Sequence, residues 1–253
     1  MSAPIIPGAE PFSASGGDQG APVLHGFTGN PFSIRGVASA VAAAGLTVEA
    51  PLLPGHGTSV ADMVETRWSD WSAAAESAYL DLAARCEKVA VLGLSMGGTL
   101  ACWLGERYLE VAGLVLINPL VRSIPGDQVA AVRALVDAGE TVMDGIGSDI
   151  AQPDAAELSY DQTPIEPLLS LLDAADDVGA RLADIACSVL LLSSRDDHVV
   201  PPANGDDIAS ALGDRCERVW LERSFHVATL DYDGDEIEKR AADFVSRVTG
   251  IDG

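Results

Sequence analysis

The sequence predicts an α/β protein: a mostly parallel sheet with helices on both faces, folded as one domain that carries an insertion. Three observations lead there. Short apolar runs alternate with helical patterns along most of the chain, the order that parallel strands and crossover helices produce. The 253 residues are 48% hydrophobic, enough to fill one substantial core. Residues 88–104 pass from an apolar run through Gly93-Leu94-Ser95-Met96-Gly97 into an apolar helical pattern, which reads as a sharp strand-to-helix turn at one sheet end.

The predicted strands are 23–25, 46–50, 89–93, 113–118, 189–192 and 218–221, each short and apolar as strands buried on both faces are. Helical patterns fall between them at 33–44, 69–86, 97–108, 203–212 and 235–249. Right-handed crossovers then fix most of the topology. Pro22 supplies no N–H to a ladder, so it is expected either to begin the first strand or to mark a bulge. The Gly and Ser content of 13–20 reads as a turn. From 120 to 186 no strand pattern is seen, and Asp, Pro and Gly interrupt short amphipathic segments. Leu168-Leu169, Leu171-Leu172 and Val178 still give this stretch an apolar face. It is expected to be a small helical lid, 120–186, set into a core made of 1–119 and 187–253.

Asp and Glu number 38 against 15 Lys and Arg, a formal net charge of -23. Nucleic acid is a poor partner for such a surface. The same field repels anionic bilayers, although transient lipid contact through an apolar lid stays open. Lys88 and Lys239 are the only lysines, which suggests a surface adapted to salt; a merely acidic, alanine-rich background is the alternative. No run approaches the roughly 18 apolar residues of a membrane span, and the N-terminus has neither a basic start nor a long apolar core. A cytoplasmic location is expected. Cys86, Cys102, Cys187 and Cys216 are far apart, lack metal-ligand spacing and mostly fall in apolar patterns, which points to buried thiols. Neither a metal nor a cofactor is expected.

Ser95 carries the chemistry only if other residues support it, because Gly-x-Ser-x-Gly arises by composition alone in about one such chain in five. A serine hydroxyl is a weak nucleophile until a base takes its proton and a third group orients that base. Of the four histidines, His25, His56 and His198 read as loop or turn residues. His226 falls after the last strand and before the final helix, where a Ser, Asp, His order places the base. The acid is expected just past the 189–192 strand, at Asp196 or Asp197, and spacing does not choose between them. An oxyanion needs donors: the Met96 N–H at the start of the helix, and one from the loop after His25, with Phe27 the expected second.

With these motifs in order, together with Pro54-Gly55-His56-Gly57, Asp197-His198-Val199-Val200-Pro201 and His226-Val227-Ala228-Thr229-Leu230-Asp231, the chain resembles the α/β-hydrolase superfamily. Within it, the chain looks most like bacterial monoacylglycerol lipases and related carboxylesterases. The likeness runs from Pro7-Gly8-Ala9-Glu10-Pro11-Phe12 through Ile146-Gly147-Ser148-Asp149 and covers nearly the whole length. It implies an α/β-hydrolase fold, Asp197 rather than Asp196 as the acid, oxyanion donors at Phe27 and Met96, Ile146 lining an acyl path, and Glu157 at the glycerol end of the pocket. The implied activity is cofactor-free hydrolysis of a monoacylglycerol or another short-to-medium acyl ester through an acyl-enzyme. Acyl transfer or carbon–carbon hydrolysis on the same triad is the enzymatic alternative, and a ligand-binding homologue without turnover is the non-enzymatic one.

Overall fold

The computed structural model describes residues 3–145 and 147–251. The chain runs β1 (Phe12–Ala14), β2 (Gln19–Leu24), α1 (Arg35–Ala43), β3 (Thr47–Ala50), α2 (Val60–Val64), α3 (Trp68–Ala83), β4 (Lys88–Leu94) and α4 (Met96–Arg107). It continues through β5 (Val111–Ile117), α5 (Gly126–Asp137), β6 (Val142–Asp144), β7 (Gln162–Pro164), α6 (Ile165–Gly179), β8 (Ser188–Ser194), α7 (Ala203–Leu212), β9 (Cys216–Leu221) and α8 (Gly234–Thr249). Seven strands form one sheet in the order β1-β3-β2-β4-β5-β8-β9. Only β1 runs antiparallel to its neighbour.

The central strands are apolar throughout because both faces are covered. Val89 and Val91 of β4 point to one face, with Leu114, Leu116, Val189 and Leu191, where α3, α4, α6 and α7 pack. Ala90 and Leu92 point to the other, with Val115, Ile117, Leu190 and Leu192, under α1 and α8. Side chains alternate with period two, so a run without polar gaps serves both layers. Burying each Leu, Ile or Val contributes about 1.5–3 kcal/mol, and these two layers hold the rim loops in place.

The structure departs from expectation at several places. Part of the 13–20 stretch is strand: β1 pairs with β3, and β2 already starts at Gln19. A three-residue edge strand is too short to show alternation. Pro22 stands in the middle of β2, neither at its start nor at a bulge. Pairing with β4 passes over Ala21 and Pro22 and resumes at Val23↔Leu92 with no register shift, so no donor is demanded of the proline on that side. Between β5 and β8 the chain is not purely helical, because β6 and β7 pair as an antiparallel ribbon through Met143↔Thr163. Three residues each, one ending in Pro164, gave no period to read. In the same stretch α6 buries Leu169, Leu171, Leu172 and Val178, while α5 buries nothing. The four cysteines are free thiols, but only Cys102 is fully buried; the others are half-buried. Among the described residues no helix is long and apolar enough to cross a membrane.

Candidate active site

Ser95 lies between the last residue of β4 and the first of α4, with φ 55° and ψ -117°. A side chain rarely accepts that conformation, and two glycines make room for it. A Cβ at Gly93 would run into the Gly97 carbonyl, and one at Gly97 into the Leu24 carbonyl. The Ser95 N–H donates to Ile117 O at 2.9 Å, tying the turn to the end of β5. Thr28 and Asn118 are the other described non-glycine residues with positive φ, and both lie at the same end of the sheet.

His226 comes to this end on the loop between β9 and α8. Its Nδ1 donates to Asp197 Oδ2 at 2.8 Å, and the two side chains are only 9% and 2% exposed. Asp197 follows β8 and is held in turn, since its Oδ1 accepts the N–H groups of Val199 at 2.9 Å and Val200 at 2.7 Å. Asp196 is exposed and takes no part. Burial disfavours the imidazolium of His226, but Asp197, Glu157 and Asp149 outweigh it and raise the pKa above the ordinary histidine value. Asn118 spans the gap to Ser95. It follows directly on Ile117, and its Nδ2 donates to His226 O at 2.8 Å and to Ser194 Oγ at 2.9 Å. The structure thus brings Asp197 and His226 into direct contact and sets Ser95 on the same rim, without a Ser95 to His226 hydrogen bond among the described residues.

On the opposite flank the loop after β2 carries His25, Gly26 and Phe27. His25 is fully buried; its Nδ1 donates to Gly26 O at 2.9 Å, and its Nε2 accepts the Leu53 N–H at 3.1 Å. Burial lowers its pKa to about 4. The rings of His25, His56, Phe27 and Trp71 meet edge to face under this loop. The Phe27 N–H has no acceptor among the described residues, and the Met96 N–H opens α4, where a helix has no partner for it. Two donors beside a serine can hold a developing oxyanion.

Residues 148–160 run between the two flanks. Near His226, Asp149 accepts the His226 N–H at 3.0 Å. Near Phe27, the Tyr160 N–H donates to Thr28 O at 3.1 Å, its hydroxyl donates to Gly55 O at 2.8 Å, and Asn30 Nδ2 donates to Leu158 O. Glu157 lies half-buried in this stretch, close enough that a Cβ on Gly29 would meet its Oε1. Burial raises its pKa, opposed by His226 and by the hydroxyls of Ser33 and Ser159. Ile146 lies outside the described residues. Asp149, Asn118, Asp231 and Tyr160 received no role from the sequence, because the contacts that matter at the rim join each to residues far away in the chain. Among the described residues no group of three or more His, Cys, Asp or Glu could hold a metal.

A serine on a strand-to-helix elbow, followed in chain order by an acid after β8 and a histidine before the last helix, defines the α/β-hydrolase class. The likeness to known proteins is correspondingly broad. The chain belongs to the family described as serine aminopeptidase, S33, which matches residues 22–233. It is 43% identical over 250 residues to a thermostable monoacylglycerol lipase of Bacillus sp. (strain H-257), covering 98% of each chain. It is 27% identical to a carboxylesterase of Bacillus subtilis (strain 168), covering 94% of this chain and 97% of that one. A solved structure from work on LipS and LipT, two metagenome-derived lipolytic enzymes, superposes with a TM-score of 0.92 at 40% identity, covering 96% of this chain and 100% of the other.

Proposed function

We propose that the chain is a serine hydrolase of carboxylic esters, acting on monoacylglycerols or other short-to-medium acyl esters through an acyl-enzyme. The observation that carries this is the buried His226–Asp197 pair, at 2.8 Å, on the rim that presents Ser95. Ser95 Oγ attacks the ester carbonyl while His226 Nε2 takes its proton; the same nitrogen returns it to the departing alcohol. Asp197 holds Nδ1–H and so keeps Nε2 free to accept. The N–H groups of Phe27 and Met96 receive the oxyanion. Water then repeats the sequence on the acyl-enzyme and releases the acid.

Glu157 is assigned to the alcohol end, where a half-buried carboxylate can accept hydrogen bonds from glycerol hydroxyls. Residues 120–186 are assigned the part of a lid over one acyl chain. Exposed Leu135 on α5 offers lipid a transient apolar contact. A cytoplasmic location fits four free thiols, which an oxidising compartment would tend to pair. The ester reading is favoured over an amide one by relatives of near full length named as lipase and esterase.

Hydrolysis of p-nitrophenyl acyl esters and of aminoacyl p-nitroanilides by the wild type and by Ser95→Ala tests this. Esters are expected to turn over and anilides not, and Ser95→Ala is expected to lose at least about 10³-fold in kcat. Wild-type ester turnover in Ser95→Ala overturns the mechanism, and anilide turnover exceeding ester turnover overturns the substrate class.

A further inference from the structure

We propose that Asp149, in the insertion, is a positioning residue that sets His226 for catalysis; this rests on His226 being the base that serves Ser95. The Asp149 side chain is only 13% exposed. Its Oδ2 accepts the main-chain N–H of His226 at 3.0 Å and that of His198 at 3.1 Å, and its Oδ1 stands 2.8 Å from His198 Nδ1. Its own carbonyl accepts the Val227 N–H at 3.0 Å. One residue of the insertion therefore grips the base, the residue after the base, and the neighbour of the acid Asp197.

The core grips back. Asp231 Oδ2 accepts the N–H of Ala151 at 2.7 Å and of Phe225 at 3.0 Å, while its Oδ1 accepts that of Gln152 at 3.1 Å. Two carboxylates on opposite sides thus hold each other's backbones, and hydrogen bonds to charged acceptors are the stronger kind. Asn118 completes the hold by donating to His226 O at 2.8 Å. Both main-chain hydrogen-bonding groups of His226 are fixed, the N–H by the insertion and the C=O by Asn118, the residue that follows β5. A base displaced by about 1 Å can cost a hundredfold in rate, so fixing the pivot of this imidazole bears on turnover and not only on stability.

Asp149 also acts through its charge. The carboxylates facing His226 are Asp197, on the loop after β8, and Glu157 and Asp149, both from the insertion; His198 packs on Asp149 and on the Phe225 ring. Burial pushes the His226 pKa down, and the three carboxylates together push it up further, Asp197 most. Only neutral His226 can accept the Ser95 proton, so the acid limb of kcat/KM follows this pKa. Removing the Asp149 charge lowers it and moves the limb to lower pH.

The test compares Asp149→Ala, Asp149→Asn and Ser95→Ala on a p-nitrophenyl acyl ester, with kcat, KM, the pH profile of kcat/KM and Tm for each. Asp149→Ala is expected to lower kcat about tenfold with KM changed less than about twofold. Asp149→Asn keeps an acceptor oxygen for the His226 N–H, so it is expected to recover most of kcat while moving the acid limb down by about half a pH unit. A fall in Tm alone, with wild-type kcat and an unmoved limb, overturns the proposal and leaves Asp149 a structural tie. If Asp149→Ala does not fold, the limb of Asp149→Asn decides: moved supports, unmoved overturns. Wild-type turnover in Ser95→Ala is a separate failure, that of the underlying reading, and is recognised as such whatever Asp149 does.

Discussion

His25 and His226 lie at the same end of the sheet, on opposite flanks of Ser95, at 0% and 7% exposure. Their acid–base behaviour runs in opposite directions. Beside His25 stand the His56 ring and two main-chain groups, with no carboxylate among the causes of its shift, so burial outweighs the upward pull of the bond to Gly26 O and the pKa falls to about 4. Around His226 stand Asp197, Glu157 and Asp149, and burial is overcome. Burial in both cases therefore leaves one histidine neutral down to about pH 4 and makes the other easier to protonate than an ordinary imidazole. The difference lies in what replaces the water. A flank of rings and N–H groups suits the part proposed for Phe27, donation to an oxyanion; a flank of carboxylates suits the part proposed for His226, holding a cation between proton transfers.

The largest expected break in this contrast comes from Asp197→Asn. With the Nδ1–H acceptor altered, the imidazole loses both its tautomer and its strongest upward pull, and kcat should fall about 10³–10⁴-fold in steady-state ester hydrolysis. A loss smaller than about tenfold would remove Asp197 from its assigned part.

The opposite flank is tested through stability. Unfolded His25 takes a proton near 6.5 and folded His25 only near 4, so falling pH favours the unfolded chain across that window, by up to about 3 kcal/mol from this group. His25→Asn should therefore show a shallower loss of urea midpoint between pH 7 and pH 4.5, with the acid limb of kcat/KM where the wild type has it. A shifted limb would mean that the two flanks are not independent.

A third buried group asks whether the same rule holds away from the rim. Glu106 on α4 has a side chain only 3% exposed; Arg181 Nε stands 3.3 Å away, yet neither carboxylate oxygen accepts a hydrogen bond among the described residues. Burial, incompletely offset by Arg181, raises its pKa to about 7. The folded chain binds this proton more tightly than the unfolded one, so stability is lost as pH rises from 4.5 through about 7. Glu106→Gln should match the wild type near pH 4 and exceed it at pH 8 by about 1–3 kcal/mol in chemical denaturation. Equal midpoints at pH 8 would show that Arg181 suffices.

Legibility followed the range over which residues act. The buried strands β4, β5 and β8 were readable because an apolar run bounded by turns and too short for a helix suits a strand covered on both faces, and Ser95 because its glycines are local. β1 and the β6–β7 ribbon were not, since three residues make no period. Spacing left Asp196 and Asp197 level; the loop's turn puts Asp197 against His226 and Asp196 in solvent. Asp149 stood in plain view within Ile146-Gly147-Ser148-Asp149, yet its contact with His226 is a matter of how the insertion comes back to the rim.

That return sets a schedule for the newly made chain. The bonds that hold His226 close over 29 residues to Asp197, 77 to Asp149 and 108 to Asn118. Contacts of long sequence separation wait on the entropy of closing their loops, and the sheet's own pairings close over comparable spans, 69 residues between β2 and β4 and 75 between β5 and β8, so only the helices, whose bonds are local, can form while His226 still swings free. During refolding, ester-cleaving competence should therefore return after helical far-ultraviolet ellipticity, once sheet and loops have closed around His226.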